Sequence, residues 1–334
     1  GFGQGAETRV VTPTRVDPAS DWVHADGGAF HTVALRADGT LWSWGIGGSQ
    51  GSPLGHGDNA MRVVPTRIGS ATNWSAVSTT EYHTVALKAD GTLWAWGSNY
   101  HGQFGNGQSG SGAQSTVPVM VGTDDDWTAV STGTRHTVAL KSDGTIWATG
   151  WNTDNQLGLG DTDPRTVFTK IGTDSDWVQV VTGNIHTLAL KADGTLWSWG
   201  ANYYGEGGQP AVGSKTPVPT RVGSASDWGS IGAGSYHSLA IKTDGTLWAW
   251  GYNERGQTGT GFGGGTLRQV GSDTDWVSVA AGQMFSVASK DDGSAWGWGF
   301  NAAGMVGDGT GMQQDAPVLV AAPVLQTDAM FCRS

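Results

Sequence analysis

Cysteine is almost missing: the single Cys332 leaves no internal disulfide to staple the fold. Charge is also scarce, at 14% of residues against about 25% in ordinary globular proteins. Lys and Arg number 18 against 29 Asp and Glu, a net charge of −11. That balance argues against a nucleic-acid surface, which needs clustered cations. No apolar run is long enough for a membrane span. No stretch shows a helical period with caps, so helix is expected to be scarce. The chain opens on Gly1 with no charged-then-apolar leader, and is expected to be processed or trimmed at its start.

Glycine and tryptophan are plentiful, at 55 and 18 of 334 residues. The glycines have no period of three, which excludes collagen. Disordered chains are poor in aromatics, which argues against disorder. A Trp following Asp or Asn recurs at 22, 74, 127, 177, 228 and 276, and each opens the same module. Residues 177–207 show it: WVQVVTGNIHTLALKADGTLWSWGANYYGEG. Six modules are complete, and residues 1–16 match the second half of another. Each reads as four short strands: W-V-x-V; H-T-V-A-L-K, alternating at a period of two; L-W-x-W-G; and a last one through P-x-x-V. Asp-Gly between the second and third is a strong hairpin signal. Four strands in about 50 residues, repeated, mark propeller blades.

The pattern G-x-x-H-T-x-A-L-K-x-D-G-T-L-W-x-W-G-x-N-x-x-G-Q recurs over nearly the whole chain. It resembles the regulator of chromosome condensation (alpha-tubulin suppressor-like) repeat, of the bacterial type. The resemblance implies a seven-bladed propeller, commonly closed by pairing strands from both chain ends in one blade. The expected fold is all-β, a β-propeller of four-stranded blades in a single domain over 1–334. Residues 1–16 would be a ring-closing strand and residues 321–334 a C-terminal tail. Six complete repeats leave either a seven-bladed ring with an incomplete or shared closing blade, or a six-bladed ring. An open blade edge invites self-association.

The repeated His31, His83, His136, His186 and His237 sit one per blade, too dispersed for a metal. They read as buried imidazoles bonded to neighbouring backbone, and Phe285 takes the sixth place. The pairs Trp42/Trp44, Trp94/Trp96, Trp197/Trp199, Trp248/Trp250 and Trp296/Trp298 each share a strand face and are expected to pack between blades. In the third module Thr149 replaces the second Trp. That blade should be looser, with Trp151 repacking nearby or serving the surface. A light-sensing member of the family has Trp and Arg before the His; here no Trp stands there. Gly47 to Gly51 matches G-x-S-x-G and Gly105 to Gly110 matches G-x-G-x-x-G, but no helix follows either. Asp124 to Asp126, Asp174/Asp176 and Asp273/Asp275 read as turn caps ahead of calcium ligands. No acid–base–nucleophile set is visible, so no enzyme and no cofactor are expected.

Strand directions place the segment before each His and the loop after W-x-W-G at one end of the ring. The Asp-Gly turns lie at the other. The first end varies between modules and holds every tyrosine. The expected partner-binding residues are Phe30, Tyr82, Tyr100, Arg135, Trp151, Tyr203, Tyr204, Tyr236, Tyr252 and Arg255, because Tyr, Trp and Arg dominate binding hot spots. The leading reading is a non-enzymatic propeller that binds a protein partner, in an extracellular or cell-surface setting. A glycan-binding, lectin-like propeller is the second, since Tyr and Trp stack on sugars. The third, from the resemblance, is a guanine-nucleotide exchange factor for a small GTPase.

Overall fold

The computed structural model describes residues 10–17, 21–48, 51–210, 212–261 and 263–321. Each module forms one four-stranded antiparallel sheet, paired in chain order. The six sheets (22–67, 74–120, 127–170, 177–221, 228–269 and 276–319) stand in a ring as a six-bladed β-propeller. First strands of successive blades touch one another, which sets them nearest the axis. In the fourth blade the strands are Trp177–Thr182, His186–Lys191, Leu196–Asn202 and Ser214–Arg221. The described residues contain no helix.

The D-G-T-L-W motif is a hydrogen-bond chain. Asp38, Asp90, Asp143, Asp193 and Asp244 each accept the backbone N–H and the hydroxyl of the Thr two residues on. These bonds hold the carboxyls below the usual range. The Thr oxygen then accepts the indole N–H of the first paired Trp at 2.8–3.0 Å. The turn glycines sit at φ +74° to +81°, where side chains are strained.

The second paired Trp belongs to the blade junction. Trp96, Trp199, Trp250 and Trp298 are buried. Each donates its indole N–H to a loop carbonyl of the preceding blade (Pro53, Gln156, Glu206 and Gln257) at 2.7–3.0 Å. Five apolar cores result, each shared by two blades. In one, Leu188, Leu190, Leu196 and Val222 of the fourth blade meet Trp228, Ile231 and Trp250 of the fifth. The first paired Trp stays half-buried beneath a cation, as Trp94 does under Lys88 at 3.8 Å.

Four expectations change. The histidines bond hydroxyls of the next blade instead of backbone: His31 to Thr79, His83 to Thr137, His186 to Ser238 and His237 to Ser286, at 2.7–3.0 Å. The paired Asp residues clamp lysines; Asp174 and Asp176 hold Lys191 Nζ at 2.6 and 3.1 Å. The third blade is repacked by Phe168, not Trp151. The Phe168 ring lies 5.0 Å from that of Trp127, and Thr149 Oγ1 lies 2.9 Å from the carbonyls of Gly102 and Arg165. Residues 10–16 carry no sheet pairing and lie against the sixth blade. Residues 1–9 and 322–334, the rest of the expected closing strand and tail, lie outside the described residues.

Candidate functional site

One set of backbone bonds builds the loop end. The carbonyl before each second strand accepts the N–H that follows the third: Phe30 from Ile46, Tyr82 from Ser98, Arg135 from Trp151, Ile185 from Ala201, Tyr236 from Tyr252 and Met284 from Phe300, at 2.8–2.9 Å. Both variable segments of every blade therefore share one end. Phe30, Tyr82, Tyr100, Arg135, Tyr203, Tyr204 and Arg255 are exposed there; Trp151, Tyr236 and Tyr252 are half-buried.

The ten residues fall into separate groups. Tyr100 and Trp151 meet through His101, with ring centroids 5.1 and 4.7 Å away. Tyr204 sits between Tyr236 and Tyr252 at 5.5 and 4.9 Å. Arg255 lies over Phe300 at 5.5 Å. Tyr203 stands apart from the other tyrosines, donating to Asp154 at 2.6 Å, where Lys215 also pairs at 3.1 Å.

The site's electrostatics follow from the phenols. Tyr252 donates to Glu254 at 2.6 Å and Tyr203 to Asp154, while Glu81 hydrogen-bonds Tyr82. Each bond favours the protonated phenol. The tyrosines are raised above their usual range, by the carboxylate first for Tyr82 and Tyr252 and by burial first for Tyr203. Burial, then the Arg135 charge, pushes His101 down. Three rim carboxylates are thus bonded to phenols, while Arg135 and Arg255 form no ion pair among the described residues. Nothing in sequence spacing shows the Asp154–Tyr203 contact, since the partners come from different blades.

Glu206 lies beneath this surface and is fully buried. Gln103, Gln156 and Gln257 hold its place in other blades, each accepting the N–H two residues back. Glu206 Oε2 accepts the Tyr204 N–H at 2.7 Å, while Oε1 has no partner. Burial raises this carboxyl above its usual range. Its protonated form suits the fold, so its cost is absent at low pH and grows as pH rises through the carboxylate range. Glu206→Gln should stabilise the chain at pH 7 by on the order of 1 kcal/mol. Urea unfolding at pH 6 and pH 7.5 tests this, and a difference that shrinks with rising pH would refute it.

The family model described as RCC1-like domain matches residues 1–269. The ultraviolet-B receptor UVR8 of Arabidopsis thaliana is 35% identical over 138 residues, 40% of this chain and 30% of that protein. The mitochondrial RCC1 domain-containing protein RUG3 of the same plant is 31% identical over 241 residues, 67% of this chain and 52% of that one. The human regulator of chromosome condensation is 30% identical over 158 residues, 47% and 37% of the two chains. The chain thus spans about a third to a half of these relatives' length. Human WBSCR16 superposes with a TM-score of 0.84 at 22% identity, covering 94% of this chain and 85% of that one. Yeast RCC1 (Prp20) bound to Kap60 gives 0.76 at 23%, covering 91% and 76%. Repeat, blade and family model agree: the chain belongs to the RCC1-like domain family.

Proposed function

We propose that this chain is a non-enzymatic binding propeller that engages a protein partner through its aromatic loop end. One observation carries the reading: a uniform framework holds ten variable Phe, Tyr, Trp and Arg side chains at one end, none of them buried. Such a prepaid surface loses little entropy on docking. The relatives support it in kind, since yeast RCC1 (Prp20) has been solved bound to Kap60 and has binding properties toward Gsp1p and histones. An extracellular or cell-surface setting remains part of this proposal. A lectin would register on a glycan array, and an exchange factor would accelerate nucleotide release from a small GTPase.

For a partner identified by capture and cross-linking, Ala at Tyr82, Trp151, Tyr203 or Tyr236 should cost about 2 kcal/mol or more in affinity at two or three of the four. Asp90→Ala and Asp193→Ala, at the opposite end, should shift melting more than binding. Calorimetry and thermal melts on the same variants check this. The largest affinity losses falling on the Asp-Gly turns would sink the assignment.

A further inference from the structure

Every module repeats one charged device at the Asp-Gly end, and the second module lacks half of it. The last residue of each second strand is a cation lying over two indoles: Arg36, Lys88, Lys141, Lys191, Lys242 and Lys290. Asp residues one and three places before the opening Trp close over that cation. Asp124 and Asp126 hold Lys141 Nζ at 2.7 and 2.9 Å, and Asp273 and Asp275 hold Lys290 Nζ at 2.6 and 3.0 Å. Lys242 keeps one of the two, Asp227 at 3.1 Å, with Ala225 in the other place. Arg36 pairs with Asp17 and Asp21. In the second module Ala71 and Asn73 stand in both places. Lys88 forms no ion pair among the described residues.

The cation responds to what covers it. Nζ lies 4.9–5.3 Å from the first paired Trp in the four clamped lysines, but Lys88 lies 3.8 Å from Trp94. With no carboxylate above it, the ammonium settles onto the ring. The indoles hold it in place without neutralising it. Side-chain exposure is 10–11% for the three doubly clamped lysines and 18% for Lys242 with its single Asp, so each carboxylate also covers the cation.

Around Lys88 the same space opens to solvent. Ala71 is half-buried, and Thr72, Asn73 and Ser75 are exposed. Arg67 adds a second cation on the outer side, its guanidinium donating to the Ser70 and Ala71 carbonyls at 3.0 and 3.3 Å. Asn73 matters by its chemistry: an amide N–H donates to an arriving carboxylate, where the Asp of the other modules would repel it. Lys242 is closed to such an arrival by Asp227.

We propose that this notch between the first and second blades receives an Asp-x-Asp segment of a partner protein, which completes the Lys88 clamp from outside. The other modules specify the occupant: two carboxylates, two residues apart, each 2.6–3.1 Å from Nζ. The lysine is already ordered on its indoles, so little side-chain freedom is lost on docking. The notch lies at the end opposite the aromatic loops, and it stands whether or not those loops bind.

The test adds a blocked peptide of residues 172–176, Gly-Thr-Asp-Ser-Asp, to the full chain at low salt. The Trp94 indole N–H, followed by NMR, should shift saturably with a Kd of about 10 mM, as a few exposed charge contacts give. A peptide with both Asp changed to Asn should give no saturable shift, and neither should the Lys88→Gln chain. Ala71→Asp with Asn73→Asp should close the notch from within, raising the melting temperature and abolishing the shift. Asp174→Ala with Asp176→Asn should open a second site, read at the Trp197 indole over the same concentrations. No saturation below about 100 mM peptide would overturn the proposal. So would equal shifts from the Asn peptide, or shifts that persist in the Ala71→Asp, Asn73→Asp chain. Malonate binding as tightly as the peptide would make this a site for a free dicarboxylate and overturn the partner segment.

Discussion

Lowering the pH from 7 to about 5 is expected to unfold this propeller. His83, His136, His186 and His237 are wholly buried and His31 nearly so. Burial is the main cause that pushes the first four down to about 3 and His31 to about 4. In the unfolded chain the same imidazoles take up protons below about pH 6.5. The contribution is therefore fully present above that value and falls with pH until the folded values are reached. Each histidine costs about 1.4 kcal/mol per pH unit in that window, and five cost about 7. A domain's whole stability is about 5–15 kcal/mol. Asp26 and Glu206, raised by burial, work in the opposite sense but are outnumbered. Tryptophan fluorescence against pH should show a cooperative transition near pH 5. His186→Gln should flatten the dependence by about a fifth, since one of five proton-linked groups is gone. A melting temperature that holds steady between pH 7 and 5 would refute the account.

Much of the fold was legible because the physics repeats. The opening Trp, the H-T-V-A-L-K alternation and Asp-Gly-Thr each recur with their spacing, so strands, turn and blade could be read from one module and checked in five more. The burial of the histidines was legible too. Their partners were not: a bond from His186 to Ser238 crosses to the next blade, and one module's pattern says nothing about its neighbour. Phe168 was missed for the same reason, although a signal existed. It replaces a proline, for Pro65, Pro118, Pro219 and Pro317 hold the same place in other outer strands. Glu206 had a comparable signal, a Glu where Gln103, Gln156 and Gln257 stand. At the loop end, strand direction was enough to gather the aromatic residues. The pairing of Tyr82, Tyr203 and Tyr252 with carboxylates needed coordinates, because side-chain direction in irregular loops has no period.

Trp199→Ala is expected to cost about 3–5 kcal/mol, as truncations of buried Trp do. The indole is fully buried between the third and fourth blades, among Val138, Ile146 and Leu157. It meets Trp177 edge-on at 6.2 Å and donates to the Gln156 carbonyl at 3.0 Å. Truncation leaves a cavity and takes from that carbonyl one of its two donors, the other being the Thr187 hydroxyl at 3.1 Å. Trp197→Ala should cost less, since Trp197 is half-buried and bonds only within its own turn, to Thr195. The third blade supplies a stricter test. There Thr149 stands in the Trp slot, its hydroxyl meets carbonyls, and Phe168 supplies volume from the outer strand. The fourth-blade counterpart of Phe168 is Pro219. Trp199→Thr alone should destabilise nearly as much as the alanine variant. Adding Pro219→Phe should recover on the order of 1 kcal/mol or more, a coupling expected only of residues that share one space. Urea unfolding of the two single variants and the double variant measures that coupling. Strict additivity would mean that Phe168 does not replace the missing indole, and a loss below about 1 kcal/mol for Trp199→Ala would remove this tryptophan from the junction core.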